Sequence, residues 1–204
     1  MSDIAAGPLA EGLADPAHDS QRLFRAVLEA FSHPGRIVTL PDPPPAAAPL
    51  SPAATAFLLT LVDRDTPLWL APALDTPAVC DFVRFHTGAA IARQPADALF
   101  AVLTPGQSGE SGAPPLDSFL IGTDPYPDRS ATLVIELPAL TGGPERHWRG
   151  PGIQDRQAVG LTGLPDSFWT QWAANRALFP CGVDLVFAAG SDLLALPRSI
   201  AVET

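Results

Sequence analysis

The chain has 204 residues, 47% of them hydrophobic, which is enough apolar side chain for a single core and does not require a second domain. Its formal net charge of −10 would repel a nucleic-acid backbone and an anionic membrane surface, so we expect neither as a partner. No segment resembles a signal peptide and no apolar run reaches the roughly 18 residues that span a bilayer, so we expect a cytoplasmic protein.

The first helix is predicted to begin at Asp19 or Ser20, and residues 1–18 are expected to form a flexible arm because they show no sustained apolar period. Apolar residues recur at helical spacing through this helix: Leu23, Phe24, Val27, Leu28 and Phe31. Ser32-His33-Pro34-Gly35 is a helix-ending sequence. Residues 19–204 are therefore predicted to form one domain that starts with a helix.

The next segments alternate between strand and helix. Ser51-Pro52 and Thr76-Pro77 each combine a capping residue with a proline at the first helical position. The pattern predicts a strand at 36–40, a proline-rich connection at 41–45, a helix at 53–62, a strand at 67–71 and a helix from 77 to about 86.

The second half is predicted to supply most of a sheet. The predicted elements are a strand at 99–103, an exposed loop at 104–115, a rigid connection at 124–129, a strand at 131–137, a hairpin around 146–152, a helix capped by Asp166 or Ser167, and strands at 183–188 and 193–196. The last two strands are close enough to pair as an antiparallel hairpin, so the sheet should be mixed. The expected fold is a three-layer α/β/α single domain.

The chain contains no lysine, because all twelve basic residues are arginine. This excludes a Schiff base on the chain's own lysine and a Walker-type phosphate loop. Cys80 and Cys181 lie far apart without a CxxC motif, and we interpret both as buried, reduced residues. We expect neither a cofactor nor a bound metal.

Arg84, His86 and Thr87 at the end of a predicted helix place a cation, an imidazole and a hydroxyl close together. Such a group can hold a phosphate or phosphonate oxygen. Cationic side chains also stabilise a helix C-terminus, and Gly88 is an ordinary terminating residue, so a structural role is the favoured alternative.

Two other groups of residues are compatible with either a binding role or a structural role. Asp63, Asp65 and Thr66 offer oxygen ligands to magnesium, but no further acidic residue completes a shell, and a charged turn explains them more simply. Arg146 and Arg149 precede Gly150-Pro151-Gly152, a turn that allows close approach of the backbone to an anion or to a partner chain. No GxSxG, HExxH or adjacent Cys–His pair indicates a nucleophile.

Several short motifs, in order along residues 19–203, together resemble the PhnH family, the H subunit of the carbon-phosphorus lyase core complex. The motifs are Phe24-Arg25, Ser32-His33-Pro34-Gly35, Leu58-Leu59-Thr60-Leu61, Asp63 with Asp65-Thr66-Pro67, Arg84-Phe85-His86-Thr87, Thr141-Gly142-Gly143, Gly150-Pro151-Gly152-Ile153, Phe179-Pro180 with Gly182-Val183-Asp184-Leu185, and Leu193-Leu194-Ala195-Leu196-Pro197-Arg198.

The resemblance implies a homodimer that joins the G, I and J subunits in organophosphonate catabolism. With the G and I subunits it implies support for transfer of ribose triphosphate from ATP to an alkylphosphonate, with release of adenine, before the J subunit cleaves the carbon-phosphorus bond. It also implies the fold of pyridoxal-phosphate-dependent transferases without their cofactor. It transfers no catalytic residue to this chain.

Three hypotheses follow for the chain. In the first it is a supporting subunit whose anion-binding or interface candidates are Arg25, Arg84, His86 and Arg149. In the second it is an enzyme by itself, with His86 as acid–base and Asp63 or Asp184 binding magnesium. In the third it is a sensor that binds a nucleotide or phosphonate and controls assembly.

Overall fold

The fold was obtained as a computed structural model that describes residues 9–105 and 114–203. Within these residues the α-helices are α1 (Pro16–Ser32), α2 (Pro52–Leu61), α3 (Pro77–Thr87) and α4 (Asp166–Ala177). The strands are β1 (Val38–Thr39), β2 (Leu68–Leu70), β3 (Phe100–Leu103), β4 (Ile121–Thr123), β5 (Tyr126–Ser130), β6 (Thr132–Glu136), β7 (Arg146–Arg149), β8 (Gln157–Val159), β9 (Asp184–Ala189), β10 (Asp192–Leu196) and β11 (Ala201–Glu203). Among the described residues, no helix is both long and apolar enough to cross a bilayer.

A six-stranded sheet with the order β1-β10-β9-β6-β3-β2 forms the centre of the molecule. Strands β2, β3, β6 and β9 are parallel, whereas β10 runs antiparallel to β9 and β1 antiparallel to β10. The predicted α/β class, the mixed sheet and the final hairpin are therefore confirmed. The central strands are buried along their length, as expected for parallel strands covered on both faces.

The two faces of this sheet are covered differently. Phe100 packs edge-on against Phe57 of α2, and α1 and α3 both contact α2, so these three helices form one layer. Phe100 and Asp184 lie at the same level of the sheet, so their side chains point to the same face. Side chains alternate along a strand, and Phe187, three positions beyond Asp184 in β9, therefore points to the opposite face. There Phe187 contacts Phe168 of α4 and Trp148 of β7. The second layer thus combines a helix with a three-stranded sheet, β11-β7-β8, where a helical layer was predicted.

The first helix begins earlier than the sequence pattern predicted. Its N-cap is Asp15, whose side chain accepts a hydrogen bond from the His18 backbone N–H, and Pro16 occupies the first turn. The prediction of Asp19 or Ser20 was wrong because apolar periodicity marks the buried part of a helix, and the first turn of α1 is polar. The predicted arm, 1–18, overlaps α1 at 16–18, and its residues 1–8 lie outside the described residues.

The connection predicted at 124–129 is instead the turn and second strand of a hairpin formed by β4 and β5. Pro125 in the turn and Pro127 in β5 make this segment resemble a loop in the sequence. A two-stranded ribbon leaves one edge of each strand free of ladder hydrogen bonds, and proline at such an edge costs little. The Arg129 guanidinium lies 4.3 Å from the centre of the Tyr126 ring. Of the loop predicted at 104–115, residues 106–113 lie outside the described part of the chain.

The predicted caps of α2 and α3 are confirmed, and that of α4 is wrong. Ser51 and Thr76 accept hydrogen bonds from the backbone N–H groups of the third residues of their helices. Helix α4 starts at Asp166 itself, and no side chain caps it. The Asp166 carboxylate instead accepts a hydrogen bond from Nη2 of Arg146 at 2.7 Å, a partner that sequence periodicity does not reveal.

Candidate functional site

Helix α3 carries Arg84 and His86 on its last turn, close to its C-terminus. The helix ends at Gly88, whose φ of +74° is the left-handed conformation typical of a terminating glycine. Arg84 is exposed, with Asp81 one turn back at 3.9 Å, an ion pair too open to restrict the guanidinium. Arg84 is therefore accessible to an anion or to a partner chain.

His86 is held by the segment that precedes α1. Its Nε2 lies 3.1 Å from the carbonyl oxygen of Ala10, and its ring packs between Phe82 and Phe85 at centroid distances of 4.5 and 4.9 Å. A Cβ on Gly12 would come within 2.6 Å of the imidazole Nδ1, so the backbone of that segment lies directly on the ring. Both nitrogens of His86 thus face the chain's own backbone.

Arg25 and Arg149 lie on different layers of the molecule. Arg25 projects from the exposed side of α1 and forms no ion pair with any carboxylate of the described residues. Arg149 ends β7 on the opposite layer, where its Nε lies 3.7 Å from Glu203 of β11. The two cations therefore project from elements of different layers.

Arg146 and Arg149, considered together in the sequence as one anion-binding turn, have separate surroundings. Arg146 is 8% exposed, donates to Asp166 and lies 5.0 Å from the centre of the Trp169 ring, whereas Arg149 is exposed. They lie three positions apart on a strand, so their side chains leave opposite faces. The idea of a shared arginine site is therefore wrong.

The glycine turn that follows β7 packs on this chain's own backbone. A Cβ on Gly152 would lie 2.4 Å from the carbonyl oxygen of Ser32 at the end of α1. The glycine allows the 150–152 turn to approach the end of α1 of the same chain. The expected approach to an anion or a partner chain stays a prediction.

Asp63 shapes a turn between α2 and β2. Its Oδ1 accepts hydrogen bonds from the Asp65 backbone N–H at 2.9 Å and from Thr66 Oγ1 at 3.0 Å. This pattern is that of an Asx turn, in which an aspartate side chain replaces a backbone acceptor. Across residues 9–105 and 114–203, no three His, Cys, Asp or Glu side chains cluster in a way that would hold a metal ion.

Asp184, the other magnesium candidate, forms an ion pair with Arg198. Nε and Nη2 of Arg198 both donate to the carboxylate, and the Arg198 backbone N–H donates to it at 2.8 Å. Arg198 Nη1 also donates to the carbonyl oxygen of Pro127 at 2.9 Å. Both side chains are largely buried, and this pairing uses the lone pairs that a cation would need. Arg198 ends a motif named in the sequence, but its partner lies fourteen residues away and no local pattern points to it.

Two of the glycine motifs line the same cleft. Gly35-Arg36-Ile37 forms one wall, 141–143 and 157–160 form the others, and the volume is about 400 Å³. A Cβ on Gly143 would lie 1.9 Å from the Leu161 carbonyl oxygen. Any side chain at position 143 would therefore clash with the backbone of the neighbouring segment. The charged residues of the cleft are Arg36 and Glu145, which give it no net charge.

The cysteines are both free and buried, as predicted. Burial, together with a hydrogen bond to Asp75, raises the pKa of the Cys80 thiol to about 11. A raised pKa favours the protonated thiol near neutral pH, which is the less reactive form. Among the candidates from the sequence, the one hydroxyl that contacts a carboxylate in the described residues is that of Thr66, and it belongs to the Asp63 turn.

The family model for the bacterial phosphonate metabolism protein PhnH matches residues 11–203. A protein of Rhizobium meliloti (strain 1021), alpha-D-ribose 1-methylphosphonate 5-triphosphate synthase subunit PhnH, is 44% identical over 193 residues, which cover 93% of each chain. The putative C-P lyase subunit protein HtxG of Stutzerimonas stutzeri is 32% identical over 180 residues, which cover 88% of this chain and 83% of that protein. Both matches agree with the motifs read from the sequence, and the chain belongs to the PhnH family of bacterial phosphonate metabolism proteins.

Proposed function

We propose that this chain is the H subunit of a carbon-phosphorus lyase complex and acts as a supporting subunit of the ribose-phosphonate synthase. The observation that carries the proposal is the 44% identity to a named synthase subunit over 93% of both chains. In this role the chain joins G, I and J subunits. Together with G and I it supports formation of ribose 1-alkylphosphonate 5-triphosphate from ATP and an alkylphosphonate.

In the proposed reaction a phosphonate oxygen forms a bond to C1 of the ribose, and the bond from C1 to adenine breaks. Adenine leaves, and the 5-triphosphate stays on the sugar. Both substrates are anions, so cations must hold them close together. Exposed arginines such as Arg84 and Arg149 are available for this purpose, although they lie on different layers of the molecule.

A supporting role fits the surroundings of the candidate acid–base groups. His86 contacts the chain's own N-terminal segment, Asp63 shapes a turn, and Asp184 is paired with Arg198. Each of these contacts would have to break before the group could act on a substrate. We therefore infer that the reacting groups come from the partner subunits.

The proposal includes a homodimer in the cytoplasm with the fold of pyridoxal-phosphate-dependent transferases. Four parallel strands with helices packed beside them support this fold. In a transferase of that kind the cofactor forms an imine with a lysine, and this chain has no lysine. Its own residues therefore cannot anchor pyridoxal phosphate covalently.

Co-expression with tagged G, I and J subunits tests the proposal. We expect stable co-elution, together with adenine release from ATP and methylphosphonate only when the partners are present. The purified chain by itself should release no adenine. Turnover by the lone chain that is abolished by His86→Ala, with His18→Ala at an exposed histidine as the control, would refute the supporting role.

A further inference from the structure

Helix α1 presents an apolar stripe that the described part of the chain leaves partly exposed. Phe24 and Leu28 are 41% and 48% exposed, and Phe31 is half-buried. Their spacing of four and three residues places all three within about 60° of the helix circumference. The adjoining side of α1 carries Leu23 and Val27, which are buried in the core. The apolar surface of α1 is therefore wider than the part that its own fold buries.

Charged residues border this stripe on one side. Arg25 has no carboxylate partner within the described residues, and Glu29 lies four positions further along the helix. Glu29 pairs with Arg36 at 3.4 Å, and both of these side chains are largely exposed. An exposed pair of this kind contributes little, so Glu29 can exchange its partner at low cost.

The stripe and the charges have centres that lie within half a residue of each other along the helix. Phe24 and Phe31 lie at equal distances from the midpoint between residues 27 and 28, and Arg25 and Glu29 lie at equal distances from residue 27. When two identical helices pack antiparallel, each flank of one helix faces the same flank of the other, and residues at equal distances from the axis meet. Phe24 would then meet Phe31 of the second helix, while Arg25 would meet Glu29.

We propose that α1 packs antiparallel against α1 of a second copy of this chain, around a twofold axis between Val27 and Leu28. Each copy contributes the same stripe, and two Arg25–Glu29 ion pairs close one side of the contact. This assigns to Arg25 the role of an interface residue. Phe24 and Arg25, two motif residues that the candidate site leaves unexplained, thereby acquire a common role.

The size of the contact sets a further requirement. A stable interface requires about 800 Å² on each partner, which is more than one helix stripe supplies. The dimer contact therefore has to extend beyond α1 to neighbouring surface.

Sedimentation equilibrium of the full-length chain tests this surface without any other subunit. The wild-type chain should dimerise at micromolar concentration, and Leu28→Asp should weaken dimerisation at least about 100-fold because each dimer would bury two carboxylates. The matched control is Leu178→Asp, at a leucine of similar exposure, 42%, at the end of α4, and it should leave dimerisation unchanged. Circular dichroism of each variant establishes that it is folded.

Charge reversal tests the pairing itself. Arg25→Glu and Glu29→Arg should each weaken dimerisation about tenfold, because like charges would meet twice across the axis. An equal mixture of the two variants should form heterodimers, since opposite charges then face each other at both positions. Heterodimers in the mixture would support the proposal, and their absence would overturn it.

Other results distinguish the occupant of the stripe. A wild-type chain that is monomeric at 100 µM, or a Leu28→Asp variant that dimerises like wild type, would overturn the proposal. If the wild-type chain were monomeric and Leu28→Asp abolished co-elution with the other subunits, the stripe would belong to a different chain. The inference concerns the homodimer of the proposed function, and its failure would leave the co-elution and adenine-release results intact.

Discussion

At the scale of single residues, the guanidinium of Arg198 joins three parts of the chain. It pairs with Asp184 at the start of β9 and donates to the carbonyl of Pro127 in β5. Asp184 is a candidate magnesium ligand in the sequence because a carboxylate can bind a cation. The sequence does not reveal that this carboxylate pairs with Arg198. Arg198 was part of a recognised motif, yet only the antiparallel return of β10 beside β9 brings it to Asp184.

We predict that Arg198→Gln lowers the free energy of unfolding by about 2–4 kcal/mol, because the Asp184 carboxylate and the Pro127 carbonyl lose charged donors in a largely buried place. Urea denaturation at pH 7 measures the change. Arg64→Gln is the matched control, since Arg64 is exposed and its nearest carboxylate, Asp65, lies 3.7 Å away. The control should change stability by less than about 0.5 kcal/mol. An equal, small effect of both substitutions would contradict the structural role of Arg198.

At the scale of elements, helices with strong end signals were predicted well and short strands were not. Ser51-Pro52 and Thr76-Pro77 fix the starts of α2 and α3 because capping is a local interaction within one turn. The hairpin of β4 and β5, by contrast, contains two prolines and only three to five residues in each strand. Such a ribbon is stabilised by what it packs against, which the sequence does not specify. The predicted hairpin around 146–152 is confirmed as β7 and β8, but its third partner, β11, comes from the end of the chain.

The start of α2 also allows a prediction about pH. The Glu136 carboxylate at the end of β6 accepts a hydrogen bond from the Ser51 backbone N–H at 2.6 Å, and burial raises the pKa of Glu136 above its ordinary value of 4.5. A raised pKa means that the folded state binds the proton more tightly than the unfolded state does. The contribution of Glu136 to stability therefore falls as pH rises from 4.5 through the folded-state pKa.

Glu136→Gln should remove this part of the pH dependence, because an amide accepts the Ser51 hydrogen bond without titrating. We expect the difference in unfolding free energy between variant and wild type to shift in favour of the variant as pH rises from 4.5. Urea denaturation at several pH values measures it. A pH-independent difference for Glu136→Gln would rule out the burial effect.

At the scale of the whole molecule, the sequence identified the family and the class of fold but not the arrangement of the candidate residues. Arg84 and His86 lie on the layer formed by α1, α2 and α3, whereas Arg149 lies on the layer that contains β7. Which face a crossover takes depends on packing between distant elements, and local periodicity carries no information about it. The separation has a functional consequence, because residues on opposite layers must meet different partners or different parts of one partner.

A double-mutant cycle tests this separation. Arg84→Ala and Arg149→Ala should each weaken binding to the G, I and J subunits through the contact made by their own layer. Because these contacts are separate, the two changes in binding free energy should add within about 0.5 kcal/mol. Biolayer interferometry of the two single variants and the double variant against the immobilised partner subunits measures the coupling. Arg64→Ala combined with each substitution controls for general loss of positive charge. A coupling energy above about 1 kcal/mol would require that Arg84 and Arg149 share one ligand or one contact. The two layers would then have to close around a partner that reaches across the edge of the central sheet.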